Sequence, residues 1–257
     1  MNNLKSRLKD GEMLVGTFLS LGNAVVTEMI ARAGFDWIMI DLEHGMGSET
    51  DVLCQLQSID PEKVASFVRV ESNQRQRINK VLDFGVQGVM CPRIETADEV
   101  RTAVSAMYYP PKGIRGVAKL IRASEYGSRF DEYQKKVSEE LLCIIQIETL
   151  NALHNLEAIA AVEEVDVLFI GPSDLSMALG VFGQLDHPLF TDAVNNIIKL
   201  AEKYDKQVGI LLPNTSALKQ YYDLGIRFFA YGTDAFFISN GARQAVAALK
   251  KQLNGSI

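Results

Sequence analysis

The chain has 257 residues, 47% hydrophobic and 23% charged, a length that suits one (β/α)8 barrel and a composition with no disordered or collagen-like bias. Its formal net charge is -6, and Lys and Arg are scattered rather than clustered, so the basic surface a phosphate backbone requires is missing and no nucleic-acid partner is expected. Apolar runs such as Leu141 to Ile145 are far shorter than a membrane-spanning helix, and the opening MNNLKSRLKDGEM carries no hydrophobic signal core, which predicts a soluble cytoplasmic protein with no membrane partner.

Short, nearly continuous apolar runs alternate from end to end with longer stretches of 3.6-residue rhythm, the pattern of parallel strands buried on both faces and their connecting helices. In chain order, strands are predicted at Leu14 to Leu19, Asp36 to Leu42, Ala65 to Val70, Gly88 to Ile94, Cys143 to Ile147, Asp166 to Ile170, Val208 to Leu212 and Arg227 to Tyr231. Helices are predicted at Val25 to Ala33, Asp51 to Ile59, Arg75 to Phe84, Ala97 to Met107, Leu153 to Ala161, Asp192 to Tyr204, Ser216 to Leu224 and Asp234 to Leu253. At Gly34, Gly85 and Gly225 a helix passes into a strand through glycine, which closes the last helical turn in the left-handed conformation without a Cβ penalty. Tyr108 to Glu139 reads as one long irregular crossing, either a cover over a site or a plain surface connection. Eight strands, polar residues at their C-terminal ends, and no G-x-G-x-x-G or P-loop at any junction favour an α/β fold closed as a (β/α)8 TIM barrel with a parallel eight-stranded core. Residues 1–257 then form a single domain. Cys54, Cys91 and Cys143 lack metal-ligand spacing and are expected as small buried hydrophobes.

Glu148 ends the run Cys143-Ile144-Ile145-Gln146-Ile147-Glu148, and Asp174 follows Phe169-Ile170-Gly171-Pro172-Ser173. An ionised group straight after a buried apolar strand has to be paired, hydrated or metal-bound. Two carboxylates on neighbouring strand ends suit a hard divalent ion that keeps its other positions for water and substrate oxygens; the alternative is N-caps or salt bridges. His44, one of 3 histidines, lies just beyond the second predicted strand, where Asp41 or another carboxylate can raise its basicity for proton transfer; the alternative is a polar residue at a turn. His154 and His187 read as structural. Arg69 should point into the barrel mouth, where the anions of a bound keto acid, a permanent ion pair with Glu43 or Glu148, or both offset its burial. No predicted strand contains a lysine for Schiff-base chemistry, so a carbanion beside a carbonyl would need a metal.

Gly34-Phe35-Asp36-Trp37, Asp41-Leu42-Glu43-His44, Tyr109-Pro110-Pro111 with Gly113 and Arg115-Gly116, Gln146-Ile147-Glu148, and Phe169 to Ser176 together resemble the HpcH/HpaI family of class II, metal-dependent pyruvate aldolases over nearly the whole chain. The resemblance implies reversible retro-aldol cleavage of a 4-hydroxy-2-oxo acid or 2-keto-3-deoxy sugar acid, with a keto acid and an aldehyde as small-molecule partners. It implies that Glu148 and Asp174 bind Mg2+, Mn2+ or Co2+ and that Gln146, Ser173 and Asp174 contact the pyruvyl part. By the same resemblance His44 is the acid-base residue and Arg69 the stabiliser of enolate charge. Asp83 is then a carboxylate that raises histidine basicity across a subunit contact, in a homo-oligomer that is commonly a hexamer. The sequence departs from family members acting on sugar acids, which often read Gly-Glu-His-Ala-Pro-Asn where this chain reads Leu42-Glu43-His44-Gly45-Met46-Gly47. That departure bears on the aldehyde pocket. A citramalyl-CoA or malyl-CoA lyase ranks second, for want of a basic groove to hold the nucleotide arm. A non-catalytic metal-dependent keto-acid binder is the third reading; it expects a missing key residue type, and all are present.

Overall fold

A computed structural model describes residues 3–254 of the chain; residues 1, 2 and 255–257 of the expected domain lie outside the described residues. Eight apolar runs form β1 (Leu14–Leu19), β2 (Trp37–Asp41), β3 (Ala65–Arg69), β4 (Gly88–Cys91), β5 (Leu142–Ile147), β6 (Val167–Ile170), β7 (Gln207–Leu212) and β8 (Phe228–Thr233). Each pairs in parallel with the next and β8 returns to β1, closing the barrel. The expected (β/α)8 TIM barrel is therefore the observed fold. β4 stops earlier than expected because Pro92 has no N–H to give the ladder and Arg93 turns left-handed, at φ 53°.

Successive strand residues face opposite sides, so each strand has an inward and an outward set. Phe18, Trp37, Met39, Phe67, Met90, Ile144, Phe169 and Phe228 fill the interior, and Leu4 and Leu8 from the helix Leu4–Lys9 join the same cluster. The alternate residues, among them Ile38, Val68, Val89, Ile145 and Ile210, pack outward in a second cluster with residues of the surrounding helices. Trp37 stacks flat on Phe228 with ring centroids 4.2 Å apart. Gly16 leaves room for this: a Cβ there would lie 2.0 Å from the Trp37 ring. Carrying the inward parity past the aromatics reaches Asp41 on β2, Arg69 on β3, and Gln146 then Glu148 at the end of β5, all buried. One apolar barrel thus ends in a polar layer at its C-terminal mouth.

The glycine turns occur as expected, with φ of 98°, 92° and 98° at Gly34, Gly85 and Gly225. Other expectations need correction. The stretch 108–139 is not wholly irregular, since it holds a 3-10 turn at Arg122–Ser124 and most of the helix Phe130–Glu140. Nor does it cover the mouth: it leaves the C-terminal end of one helix, enters the start of β5, and is tied to other helix ends by Arg122, which donates to the carbonyls of Phe84 and Leu56. It therefore lies at the N-terminal face. The expected helix over 153–161 is two short ones, Leu150–His154 and Leu156–Ala160, and the helix expected from Asp192 begins at Pro188 because His187 caps it through Nδ1, 3.2 Å from the Leu189 N–H. The helices Leu4–Lys9 and Pro172–Ala178 were not expected. Cys91 and Cys143 are buried, but Cys54 is exposed on the helix Glu49–Gln57. Among the described residues, no helix is long and apolar enough to cross a membrane.

Gly16→Ala forces a methyl into the Trp37 ring, and overpacking of this kind costs about 1–3 kcal/mol or more. A chemical denaturation midpoint that falls accordingly is the expected result; an unchanged midpoint would contradict the stacked interior.

Candidate active site

β2 and β3 run in register with Asp41 beside Arg69. The Arg69 guanidinium donates from Nε to Asp41 Oδ1 at 2.9 Å and from Nη2 to Oδ2 at 2.7 Å. Its Nη1 lies 2.9 Å from Glu43 Oε2 and 3.5 Å from Gln146 Oε1, and its plane stands over the Phe18 ring at 5.1 Å. Glu43 Oε2 has no aligned hydrogen bond, so this contact is an ion pair of charge rather than of directed geometry. Burial pushes the Arg69 pKa down, but Asp41 and Glu43 outweigh it and the net direction is up, so the group stays charged. The permanent ion pair foreseen for Arg69 thus exists with Glu43, and Asp41 is the closer, two-bonded partner that sequence reasoning missed. The signal was available in the parity: Asp41 and Arg69 are both the third inward residue of adjacent strands.

Asp41 also organises the turn after β2. Its Oδ1 accepts the backbone N–H groups of Glu43 at 3.0 Å and His44 at 3.3 Å. A Cβ at Gly45 would fall 2.0 Å from the Asp41 carbonyl oxygen, so this reversal requires glycine. His44 is thereby set at the rim, its side chain 66% exposed and its Nε2 4.0 Å from Glu43 Oε2.

Across the mouth, Glu148 is 4% exposed. Its Oε1 accepts the Arg93 N–H at 2.8 Å, and its Oε2 accepts from Gln146 Nε2. The left-handed Arg93, a conformation uncommon for a side-chain-bearing residue, aims this N–H at the carboxylate. Burial pushes the Glu148 pKa up, and the charges of Glu43 and Asp174 push the same way against the two hydrogen bonds. Glu43 is raised as well, mainly by burial. Gly171 stands against this group, where a Cβ would come within 2.9 Å of Gln146 Nε2 and 3.0 Å of Glu148 Oε2. Asp174 follows in the exposed first turn of the helix Pro172–Ala178, whose N-cap is Gly171, so its carboxylate is not spent on capping. Ser173 beside it is exposed too.

Among the described residues, no group of three or more His, Cys, Asp or Glu is arranged to hold a metal ion. The donor set the chain offers is the pair Glu148 and Asp174, hard oxygen ligands close enough that the charge of Asp174 disfavours ionisation of Glu148, with Arg69 already engaged by Asp41 and Glu43. That surplus of negative charge, with a glycine leaving the adjacent space open, fits a divalent ion that takes its remaining ligands from water or substrate.

The structure brings His44, Arg69, Gln146, Glu148, Ser173 and Asp174 to the same end of the barrel. It does not bring Asp83 there. Asp83 ends the helix Arg75–Asp83, just before β4 begins, and accepts from Arg115 Nη2 at 2.9 Å at the opposite face of its own barrel.

Residues 14–241 match the family described as HpcH/HpaI aldolase/citrate lyase. The chain is 37% identical over 257 residues to the 4-hydroxy-2-oxo-heptane-1,7-dioate aldolase of Salmonella arizonae, with 99% of this chain and 98% of that protein covered. Identity to the enzyme of the same name from Salmonella typhimurium is 38% over 258 residues, again covering 99% and 98%. Among solved structures, an HpcH/HpaI aldolase/citrate lyase family protein from Burkholderia cenocepacia superposes with a TM-score of 0.92 at 35% identity, over 97% of this chain and 100% of that one.

The raised Glu148 gives a signed test. A folded state that keeps this proton to higher pH than the unfolded chain loses stability as pH rises from the ordinary carboxylate value of 4.5 towards the raised one. Denaturation in EDTA should show that loss, Mn2+ should offset it by binding the ionised form, and Glu148→Gln should weaken both effects. An unchanged pH slope and unchanged Mn2+ stabilisation in Glu148→Gln would contradict the site.

Proposed function

Because the chain belongs to the HpcH/HpaI aldolase/citrate lyase family, we propose that it is an aldolase of the lyase class that reversibly cleaves a 4-hydroxy-2-oxo acid to pyruvate and an aldehyde with a divalent metal ion. The observation that carries this reading is the buried, charged Arg69 held by Asp41 and Glu43 next to Gln146, at the mouth that also carries Glu148 and Asp174.

Breaking the C3–C4 bond requires a base for the C4 hydroxyl proton and a sink for the electron pair left on the pyruvyl fragment. His44 takes that proton, directly or through a water, with its Nε2 4.0 Å from Glu43 Oε2. Arg69 donates to the enolate oxygen as its charge grows. Since Asp41 already fixes the guanidinium by two bonds, that donor is oriented before the reaction and favours the transition state over the ground state. Gln146, Ser173 and Asp174 position the pyruvyl part. Glu148 and Asp174 would hold Mg2+, Mn2+ or Co2+, which would supply Lewis-acid stabilisation of the same charge. Protonation at C3 then gives pyruvate.

Asp83 fits this scheme only from a second copy, because within one chain it and His44 occupy opposite ends of the barrel. We assign it to the His44 of a neighbouring subunit in a homo-oligomer, of hexameric order. The exposed apolar residues Ile114, Val117 and Leu120, close in sequence to its partner Arg115, support such a contact.

Pyruvate release from 4-hydroxy-2-oxo acids should stop in EDTA and return with a divalent ion; no release under Mg2+, Mn2+ or Co2+ would sink the aldolase reading. Arg69→Ala should lower kcat/KM about 10²-fold or more, and near-normal turnover would remove Arg69 from the reaction. His44→Ala and Asp83→Asn should each be impaired alone but regain part of the activity when co-assembled. No gain on co-assembly would confine Asp83 to its structural pairing with Arg115.

A further inference from the structure

The crossing from residue 108 to 141, which does not cover the mouth, roofs a different space. A cavity of about 390 Å³ lies at the N-terminal face, under the 3-10 turn Arg122–Ser124 and the helix Phe130–Glu140, in the size range of small-molecule sites. Leu4, Leu56, Phe67, Val86, Val137 and Leu142 make it largely apolar.

One polar group among its lining residues is incompletely answered. Arg122 Nη1 donates to the Phe84 carbonyl at 2.7 Å and Nη2 to the Leu56 carbonyl at 3.1 Å. These bonds orient the guanidinium without neutralising it, and no ion pair joins it among the described residues. Tyr133 lines the cavity too, but its buried hydroxyl is engaged by Arg115, whose guanidinium stands over its ring. The other lining cation, Lys5, is committed to Asp166 at 2.9 Å and to the Leu141 carbonyl. Of the lining carboxylates, Glu125 is held by Arg129 at 2.8 Å, and Glu140 shares the field of Lys136 at the end of its helix.

We propose that this cavity is a binding site for a small monocarboxylate with an apolar, ring-sized body, for which Arg122 is the counter-ion. A charge-assisted bond to Arg122 adds the anion the guanidinium lacks, and the apolar body gains by leaving water for the leucine and valine walls. A neutral apolar molecule leaves Arg122 without a counter-ion. A dianion brings its second charge towards Glu125 and Glu140.

The test is calorimetric titration of the full chain with 4-phenylbutyrate and with the neutral 4-phenylbutyramide. The acid should bind once per chain and at least tenfold more tightly than the amide, and should do so equally in Arg69→Ala, which separates this cavity from the mouth. Arg122→Gln should abolish the preference for the acid, Arg122→Lys should retain it, and Ala123→Trp, which fills the cavity from its lining, should remove binding of both. No binding of the acid, equal binding of acid and amide, a preference that survives Arg122→Gln, or loss of binding in Arg69→Ala would each overturn the proposal.

Discussion

An arginine side chain 10% exposed at the end of an apolar barrel imposes a strict condition on its surroundings, since removing one partner of a buried ion pair costs about 3–5 kcal/mol. Arg69 meets that condition with Asp41 on two donor positions and Glu43 on a third. The same Asp41 oxygen that receives Arg69 Nε also receives the N–H groups of Glu43 and His44. Three properties of the mouth therefore share one carboxylate: the orientation of the cation, the shape of the turn, and the placing of the histidine at the rim.

The apolar layers below make that arrangement rigid. Below Asp41 and Arg69 on the same strands stand the inward residues Trp37 and Phe67, with Met39 between Trp37 and Asp41, and both rings pack against Phe228. Interiors packed as densely as this resist small displacements, so the polar layer inherits its position from the aromatic one. Glu148 is anchored separately, by Arg93 and Gln146, and the missing side chain at Gly171 keeps one approach to it open. Fixed donors and a carboxylate pair with surplus negative charge stand on the two sides of the mouth. That division matches a reaction in which charge grows on one oxygen near both.

Much of this was legible in the sequence because it follows from local pattern. Apolar runs gave the eight strands, and glycines at 34, 85 and 225 gave their entry turns. His44, Arg69, Glu148 and Asp174 stood out because polar groups rarely follow or interrupt such runs. What was hidden depends on register or on elements too short for periodicity. The Asp41–Arg69 pairing spans 28 positions and follows from which strand residues stand side by side. The helix Phe130–Glu140 buries only Phe130 and Val137 beneath a mostly charged surface, so its rhythm was lost inside an irregular stretch. The helix Pro172–Ala178 has 7 residues, less than the window a 3.6-residue rhythm needs. Asp83 was named by resemblance alone, and its distance from His44 within the chain follows from helix direction in the barrel.

The central claim is that Arg69, together with the divalent ion that Glu148 and Asp174 would hold, stabilises the enolate of pyruvate, whatever the aldehyde. Exchange of pyruvate methyl protons in D2O, followed by NMR with a divalent ion and no aldehyde, tests this without knowledge of the full substrate. Rapid exchange in the native chain, lost in Arg69→Ala and in EDTA, is the predicted result. Exchange at the native rate in Arg69→Ala, or none in the native chain with Mg2+, Mn2+ or Co2+, would contradict the account.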